Sequence, residues 1–386
     1  MWSALVLAVW LGVQPWLSWP ELFQETSHRL TLVICCVALG LLRFGHAERM
    51  RPLPRSLGWW VAALLLVMAS HHWHLIRDAA YFTFFQETAL FADGVLVVVA
   101  LVWGLWALRQ LPAVWFQRLP WAGLALVSLN LLLSLGQARG LNWHLGTPQL
   151  SDLTADAVRI HHLNPYHPSG FMGFDRCLGA YAVAWLPILW TWWKPFQQWP
   201  WVRPLAILPL GCVLLAAKVT TWIGVGVVVW WMLPGWKWKL GGVAACLAAA
   251  IWWSDGELVK KIPMRLLTWW HTAQAVSVYW LCGVGFHPMT STLVRQKFGF
   301  ALPGLHSDWL SLAFHAGAGI AAWAAGWVVW LVTQRPRTPM AKALQASLAG
   351  LAVMSLGQSV VSHASVASLA LILMAWWWVE QQGVVA

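Results

Sequence analysis

Two long apolar segments enclose SDGELVKKIPMRLLTWWHTAQAVSVYWLCGVGFHPMTSTLVRQKFGFALPGLHSD, residues 254–308. Charged and imidazole side chains are concentrated in this stretch, whereas the chain on either side is mostly Leu, Val, Ala and Trp. These polar residues are Lys260, Lys261, Arg265, His271, His287, Arg295, Lys297, His306 and Asp308. Because the rest of the chain is so apolar, we expect this loop to carry the chemistry.

The composition is that of a membrane protein. Of the 386 residues, 60% are hydrophobic and only 10% are charged, whereas soluble domains contain about 25% charged residues. A water-soluble fold cannot bury that much apolar surface, so lipid is expected to surround most of the chain. Many Trp residues, such as Trp252 and Trp376 to Trp378, fall at the ends of apolar runs, which is typical of the membrane interface.

The apolar runs predict a single all-α transmembrane domain over residues 1–386, with about twelve membrane-spanning helices. A span needs about 20 apolar residues. The first run lacks the basic start and the cleavage motif of a signal peptide, so we interpret it as a retained span. The predicted spans lie near 2–19, 29–44, 57–76, 89–108, 121–137, 171–193, 204–217, 219–234, 240–253, 309–332, 343–360 and 365–382.

The basic residues predict the orientation of these spans. When alternate loops are assigned to the side of the N-terminus, that side receives 13 of the 24 basic residues and two of the 13 acidic ones. Short loops rich in Lys and Arg indicate the cytoplasmic side. We therefore expect an inner-membrane protein with both termini cytoplasmic and with the loop 254–308, which contains short helices, in the periplasm. The basic charge then reflects topology and does not indicate nucleic-acid binding.

One assignment concerns Lys218, which lies inside the apolar stretch 204–234. A single helix over this stretch would be about 45 Å long, which exceeds a hydrocarbon core of about 30 Å. We therefore predict a hairpin of two spans that turns at Lys218-Val219-Thr220-Thr221. Met264 to Tyr279 is predicted to form an amphipathic helix at the membrane interface.

The outer loops contain groups suited to a lipid-linked phosphate. Arg265 and Lys218 could bind a pyrophosphate, because Arg offers a planar pair of donors and Lys a point charge. His306 could accept a proton from an attacking hydroxyl group. The six cysteines have no spacing typical of a metal site or disulfide, and we predict buried thiols with neither a metal nor a cofactor.

Short motifs in this order resemble the superfamily of O-antigen ligases and polymerases. They are Arg265-Leu-Leu-Thr-Trp-Trp, Gly283-Val-Gly-Phe and Leu305-His-Ser-Asp-Trp-Leu. Ser307 stands where the family often has Asn, and Lys218-Val-Thr-Thr-Trp stands where an earlier span often opens with Arg. The resemblance also includes the span number and the long loop before the tenth span.

The resemblance implies a metal-independent glycosyltransferase of the GT-C type. Such an enzyme takes a glycan (O-antigen) from undecaprenyl pyrophosphate and transfers it, with inversion, to a sugar hydroxyl of lipid A-core. In this interpretation His306 is the base or orients the acceptor, and Arg265 and Lys218 hold the pyrophosphate. Arg159 either binds a second phosphate or pairs with Asp156.

Two further residues have open roles. Asp308 either orients the imidazole of His306 or caps the tenth span, and His315, two turns into that span, is a candidate for the same cavity. The alternatives for the whole protein are an O-antigen polymerase of the same superfamily, a protein O-glycosyltransferase, or a transporter or flippase. A transporter is disfavoured because the span interiors contain almost no charged residues.

Overall fold

The structure is a computed structural model in which the described residues lie in several stretches separated by gaps. The described residues are Ser3, Val6, 33–42, 55–78, 95–96, 98–139, 175–192, 207–216, 218–253, 257–281, Gly283, 307–360 and 364–382. Side chains are not described at 71–78, 175, 253, 257–262, 264 and 364. The predicted span at 2–19 lies almost entirely outside the described residues.

All regular secondary structure in the described part of the chain is helical, as predicted. The first helices are α1 (Val33–Leu42), α2 (Arg55–Asp78), α3 (Val98–Arg109), α4 (Ala113–Ala138) and α5 (Asp175–Trp192). The next are α6 (Leu208–Ala216), α7 (Val219–Met232), α8 (Trp236–Trp253) and α9 (Glu257–Val278). The last are α10 (Asp308–Ala316), α11 (Ala318–Thr333), α12 (Pro339–Gly357) and α13 (Ala364–Gln381).

Apart from α9, which lies in the predicted loop 254–308, the described helices overlap the predicted apolar runs from 29–44 onward. Two of them, α4 and α12, are long and apolar enough to cross a membrane by length and composition. The number of spans and the periplasmic position of the long loop stay predictions. The predicted break at Lys218 is confirmed, because α6 ends at Ala216 and α7 begins at Val219.

The predicted tenth span, 309–332, is not one helix. It is divided into α10 and α11 at Gly317, whose backbone has φ 97° and ψ 155°. Only glycine readily adopts this conformation, because a Cβ atom would collide with the backbone. The Ala318 amide donates to the carbonyl of Trp280 at 2.7 Å, so a contact outside the helix replaces a helical hydrogen bond.

The centre of the bundle is α5, which is buried along most of its length. It packs against α4, α7 and α12, and small residues permit close contacts. An added Cβ at Gly350 would lie 2.8 Å from a methyl carbon of Val183, and the Ser347 hydroxyl donates to the Ala184 carbonyl at 2.6 Å. Ser347 opposite Ala184 and Gly350 opposite Val183 show that α12 runs antiparallel to α5.

The tryptophans do not all follow the interface prediction. Trp252 is 85% exposed, as expected for a residue in contact with lipid headgroups, but Trp376 is 1% exposed. Trp376 stacks on Phe116 with ring centroids 6.2 Å apart, and its indole donates to Glu380 at 3.2 Å. Trp376 is therefore a packing residue. Cys35, Cys36, Cys177, Cys212 and Cys246 are buried free thiols, which confirms the prediction for the described cysteines.

Candidate functional site

The candidate site lies where α12 ends, at Gly357. The first element that reaches this end is α10, whose N-cap is Ser307. The Ser307 hydroxyl accepts from the Leu310 amide at 3.3 Å and donates to the Ser355 carbonyl at 3.2 Å. Ser and Asn are both favoured at an N-cap because their side-chain oxygen accepts from a free helix amide. Ser307 can therefore do the capping that an Asn would do at this position.

Asp308 is the first residue of α10 and is not its cap, so the capping role considered for it is wrong. Its carboxylate accepts from the backbone amide of Val360 at 2.8 Å. A negative charge in the first turn is also favoured by the helix dipole. Asp308 thus connects the start of α10 to the chain just beyond α12, while its role in orienting His306 stays a prediction.

Arg265 reaches the same end from α9. Its Nη1 donates to the carbonyl of Gly357 at 3.0 Å. That carbonyl lies in the last turn of α12, where backbone acceptors have no partner within the helix. The bond uses one of the five N–H donors of a guanidinium, so the group retains donors for a ligand. Burial lowers the pKa of Arg265 from its ordinary value, because desolvation disfavours the charged form.

Lys218 is the N-cap residue of α7 and lies in an extended conformation, with φ −110° and ψ 131°. Thr220, two residues later, packs against Gly357, where an added Cβ would lie 2.8 Å from its methyl carbon. The start of α7 therefore meets the end of α12. The structure brings Lys218, Arg265 and Asp308 to one end of the bundle, although they are far apart in sequence.

The helix α9 packs against α10 and runs from the Gly357 end of the bundle toward the start of α11. Arg265 contacts Gly357, while Trp280, just past the end of α9, accepts from Ala318 at the start of α11. Several apolar side chains of α9 are exposed, including Trp270 at 63%. The helix begins earlier than the predicted Met264 to Tyr279 segment, and its exposed apolar side chains are compatible with the predicted interfacial position.

The backbone conformation at position 283 explains why the Gly-Val-Gly-Phe motif begins with glycine. Its φ is 68°, and an added Cβ would lie 2.5 Å from the backbone carbonyl carbon and oxygen of His315. His315 itself lies in the last turn of α10, about 12 Å along the helix from Ser307. The backbone of His315 therefore packs against the Gly283 turn, away from the Gly357 carbonyl that Arg265 binds.

Two predicted site residues, His306 and Arg159, lie outside the described residues. His306 directly precedes Ser307, which is 1% exposed and belongs to the candidate site. Arg159 belongs to the other polar outer loop. The structure therefore places three of the six predicted site residues at one end of α12, and it places His315 further along α10.

Sequence reasoning gave no role to several polar residues at the same end. The Thr220 hydroxyl and the Gln358 side-chain carbonyl are buried and lack a hydrogen-bond partner among the residues that the structure describes. Thr221 packs against Gly179 on α5, and Arg176 lies one turn before that glycine. The sequence feature that could have identified these residues is a polar side chain at the end of an apolar run. Such side chains are common at span ends, so this feature does not single them out.

The geometry is that of a cluster of polar groups at a helix end. It combines two cations, a carboxylate and buried acceptors and donors, next to a loop with a histidine. Such a set can bind an anion such as a phosphate and can bind hydroxyl groups. A scan against models of known protein families finds no match for the chain, and a search of curated proteins finds no match either.

Proposed function

We propose that this protein transfers a glycan from undecaprenyl pyrophosphate to a sugar hydroxyl of lipid A-core, on the periplasmic face of the bacterial inner membrane. The observation that supports the proposal best is the meeting of Arg265, the Lys218 end of α7 and the Ser307–Asp308 start of α10 at Gly357. The motifs that resemble the O-antigen ligase superfamily are separated in sequence, yet three of their residues share this one place.

The chemistry proposed is a direct displacement with inversion. The oxygen of the acceptor hydroxyl forms a bond to the anomeric carbon of the donor glycan, and the bond from that carbon to the pyrophosphate oxygen breaks. The pyrophosphate leaves with the electron pair, and His306 takes the proton of the hydroxyl. Arg265 and Lys218 stabilise the charge that develops on the leaving group, and this needs no metal.

The buried polar groups support a sugar ligand beside the pyrophosphate. Thr220 can donate or accept a hydrogen bond, and the Gln358 carbonyl oxygen can accept one. Buried polar groups are usually hydrogen-bonded. Sugar hydroxyls would supply partners to Thr220 and Gln358, so we assign these two residues to the glycan side of the site.

The experiment that tests the proposal is transfer by purified protein in detergent. The protein is given an undecaprenyl-pyrophosphate-linked glycan and lipid A-core, and the products are identified by mass. The expected product is glycan joined to lipid A-core, with release of undecaprenyl pyrophosphate. A longer glycan still on the lipid carrier would instead identify a polymerase, and a glycosylated protein would identify a protein O-glycosyltransferase.

His306→Ala is the most direct variant, with His287→Ala as its matched control from the same loop. Loss of a general base typically slows a reaction by about 10²–10⁴-fold. We expect that loss for His306→Ala and little change for His287→Ala. Full transfer by the His306→Ala protein would remove His306 from the mechanism, and absence of any transfer by the unmodified protein would contradict the proposed function.

A further inference from the structure

A cleft of about 660 Å³ lies at the opposite end of α12 from the candidate site, between the end of α11 and the end of α13. It is lined by Trp330, Arg335, Arg337, Trp377, Trp378 and Gln381, among others. Because α12 has 19 residues, the cleft and the Gly357 end are about 28 Å apart along the helix axis. That separation is close to the hydrocarbon thickness of a bilayer, about 30 Å.

The loop between α11 and α12, which carries Arg335 and Arg337, is held in place by side chains of α12 and α13. The Gln345 amide donates to the carbonyls of Leu331 and Gln334 at 3.0 and 2.7 Å. The Gln381 amide donates to the Arg335 carbonyl at 3.2 Å. The backbone of this wall is therefore fixed before any ligand binds, which lowers the entropic cost of binding.

The cleft is positively charged. Arg335 and Arg337 are exposed, and the described residues that line the cleft include neither Asp nor Glu. A third guanidinium, that of Arg109, lies 4.0 Å from the ring centroid of Trp378. The nearby carboxylate of Glu380 already accepts hydrogen bonds from Thr338 at 2.7 Å and from Trp376. This charge distribution favours an anion with several acceptor oxygens, such as a phosphate.

The aromatic walls indicate that the anion is attached to an amphipathic molecule. Trp377 is 2% exposed, and its indole N–H has no hydrogen-bond partner among the described residues. Trp330 is 42% exposed and Val329 57%, so an apolar surface of α11 leads away from the cleft toward the membrane. Inorganic phosphate would gain nothing from that surface, whereas a glycerol backbone and acyl chains would pack on it.

We propose that this cleft binds the phosphodiester headgroup of an anionic phospholipid in the leaflet opposite the candidate site. Arg335 and Arg337 bind the phosphate oxygens, the Trp377 N–H donates to the headgroup, and Trp330 contacts the glycerol region. Basic pockets at the ends of membrane helices are suited to such headgroups. This inference depends on α11–α13 crossing a membrane, and it is independent of the proposed glycosyl transfer.

The test is native mass spectrometry of the purified full chain, titrated with phosphatidylglycerol or with phosphatidylcholine. We expect tighter binding of phosphatidylglycerol, and we expect Arg335→Gln with Arg337→Gln to weaken it about tenfold or more. Trp377→Phe keeps the ring but removes the N–H, and it should weaken binding by a smaller factor. Arg335→Lys with Arg337→Lys retains the charge and should retain most binding.

The matched control is Lys237→Gln with Lys239→Gln. These residues lie at the start of α8, next to the end of α7, which reaches the same end of the bundle as Pro339. The control removes the same charge from outside the cleft and should change binding less than twofold. Equal losses in both double variants, equal binding of the two lipids, or displacement of the lipid by millimolar inorganic phosphate would each overturn the proposal.

Discussion

Arg265 has two partners in the proposed reaction cycle, the Gly357 carbonyl that the structure shows and the pyrophosphate that we propose. A cation beside a helix C-terminus stabilises a fold by about 0.3–1 kcal/mol, whereas one electrostatic donor in a transition state contributes about 10²–10³ in rate. The contribution of Arg265 to stability is therefore expected to be small and its contribution to the transfer rate large. The two can be separated by measuring the free energy of unfolding and the transfer rate of the same variant.

We predict that Arg265→Ala lowers the rate of glycan transfer by about 10²–10³-fold while the free energy of unfolding falls by only about 1 kcal/mol. Arg265→Lys should retain part of the rate, because it keeps the charge but loses the planar pair of donors. The control is Arg118→Ala, an exposed arginine at the opposite end of the bundle. Transfer that falls equally in both alanine variants would show that Arg265 has no special role.

A second residue-level prediction concerns Gly283. An Ala at this position would adopt a left-handed conformation, which costs about 1–2 kcal/mol, and its Cβ would press on the backbone of His315. We expect Gly283→Ala to lower the thermal unfolding temperature in detergent by several degrees. Gly319→Ala is the matched control, because it lies in helix α11 with open space around the added Cβ. It should leave the unfolding temperature unchanged or raise it slightly.

At the scale of elements, Asp308 connects α10 to the chain after α12. We predict that Asp308→Ala, which leaves the Val360 amide without its acceptor, costs about 1–3 kcal/mol of stability. Asp308→Asn keeps an acceptor oxygen and should retain most of that stability.

The Asn variant also separates a structural role from an orienting role. If Asp308 orients the imidazole of His306 by its charge, Asp308→Asn will lose transfer activity at nearly normal stability. If Asp308 only holds the two elements together, transfer will follow stability in both variants. The measurements are the rate of transfer and the unfolding temperature of the same preparations.

The positions of most helices could be predicted from the sequence because an apolar run of sufficient length favours a helix. The break at Lys218 was also predictable, since a charge in mid-membrane is costly. The break at Gly317 could not be predicted from the sequence. Glycines are common within membrane helices, and this one differs only because Trp280, distant in sequence, offers its carbonyl to Ala318.

The candidate site was predictable in its residue types but not in its arrangement. Arg265, His306 and Lys218 could be chosen because phosphate chemistry needs cations and a base. Nothing in the sequence indicated that the Gly357 carbonyl binds Arg265 or that Thr220 and Gln358 belong to the same cluster of polar groups. Those relations arise from helix packing, which is determined by shape complementarity between α5, α7 and α12.

At the scale of the whole molecule, the two polar ends of α12 are separated by about the thickness of a membrane core. The Gly357 end carries the candidate site and the Pro339 end carries the basic cleft, about 28 Å apart. In water, exposed Leu266 and Leu267 on α9 and exposed Trp330 on α11 would be unfavourable, whereas lipid would cover them. The orientation predicted from the basic loops then places Gly357 outside and Pro339 inside.

We predict that a membrane-impermeant maleimide distinguishes the two ends in intact cells whose outer membrane has been permeabilised. Gln274→Cys, exposed on α9, should react from the periplasm, and Arg337→Cys should react only after the inner membrane is opened. The five described native cysteines are buried, so their background labelling should be low. Reaction of both introduced thiols from the same side would mean that α12 does not separate the two compartments. The proposed donor and lipid sites would then lose their basis together, because each requires its own membrane surface.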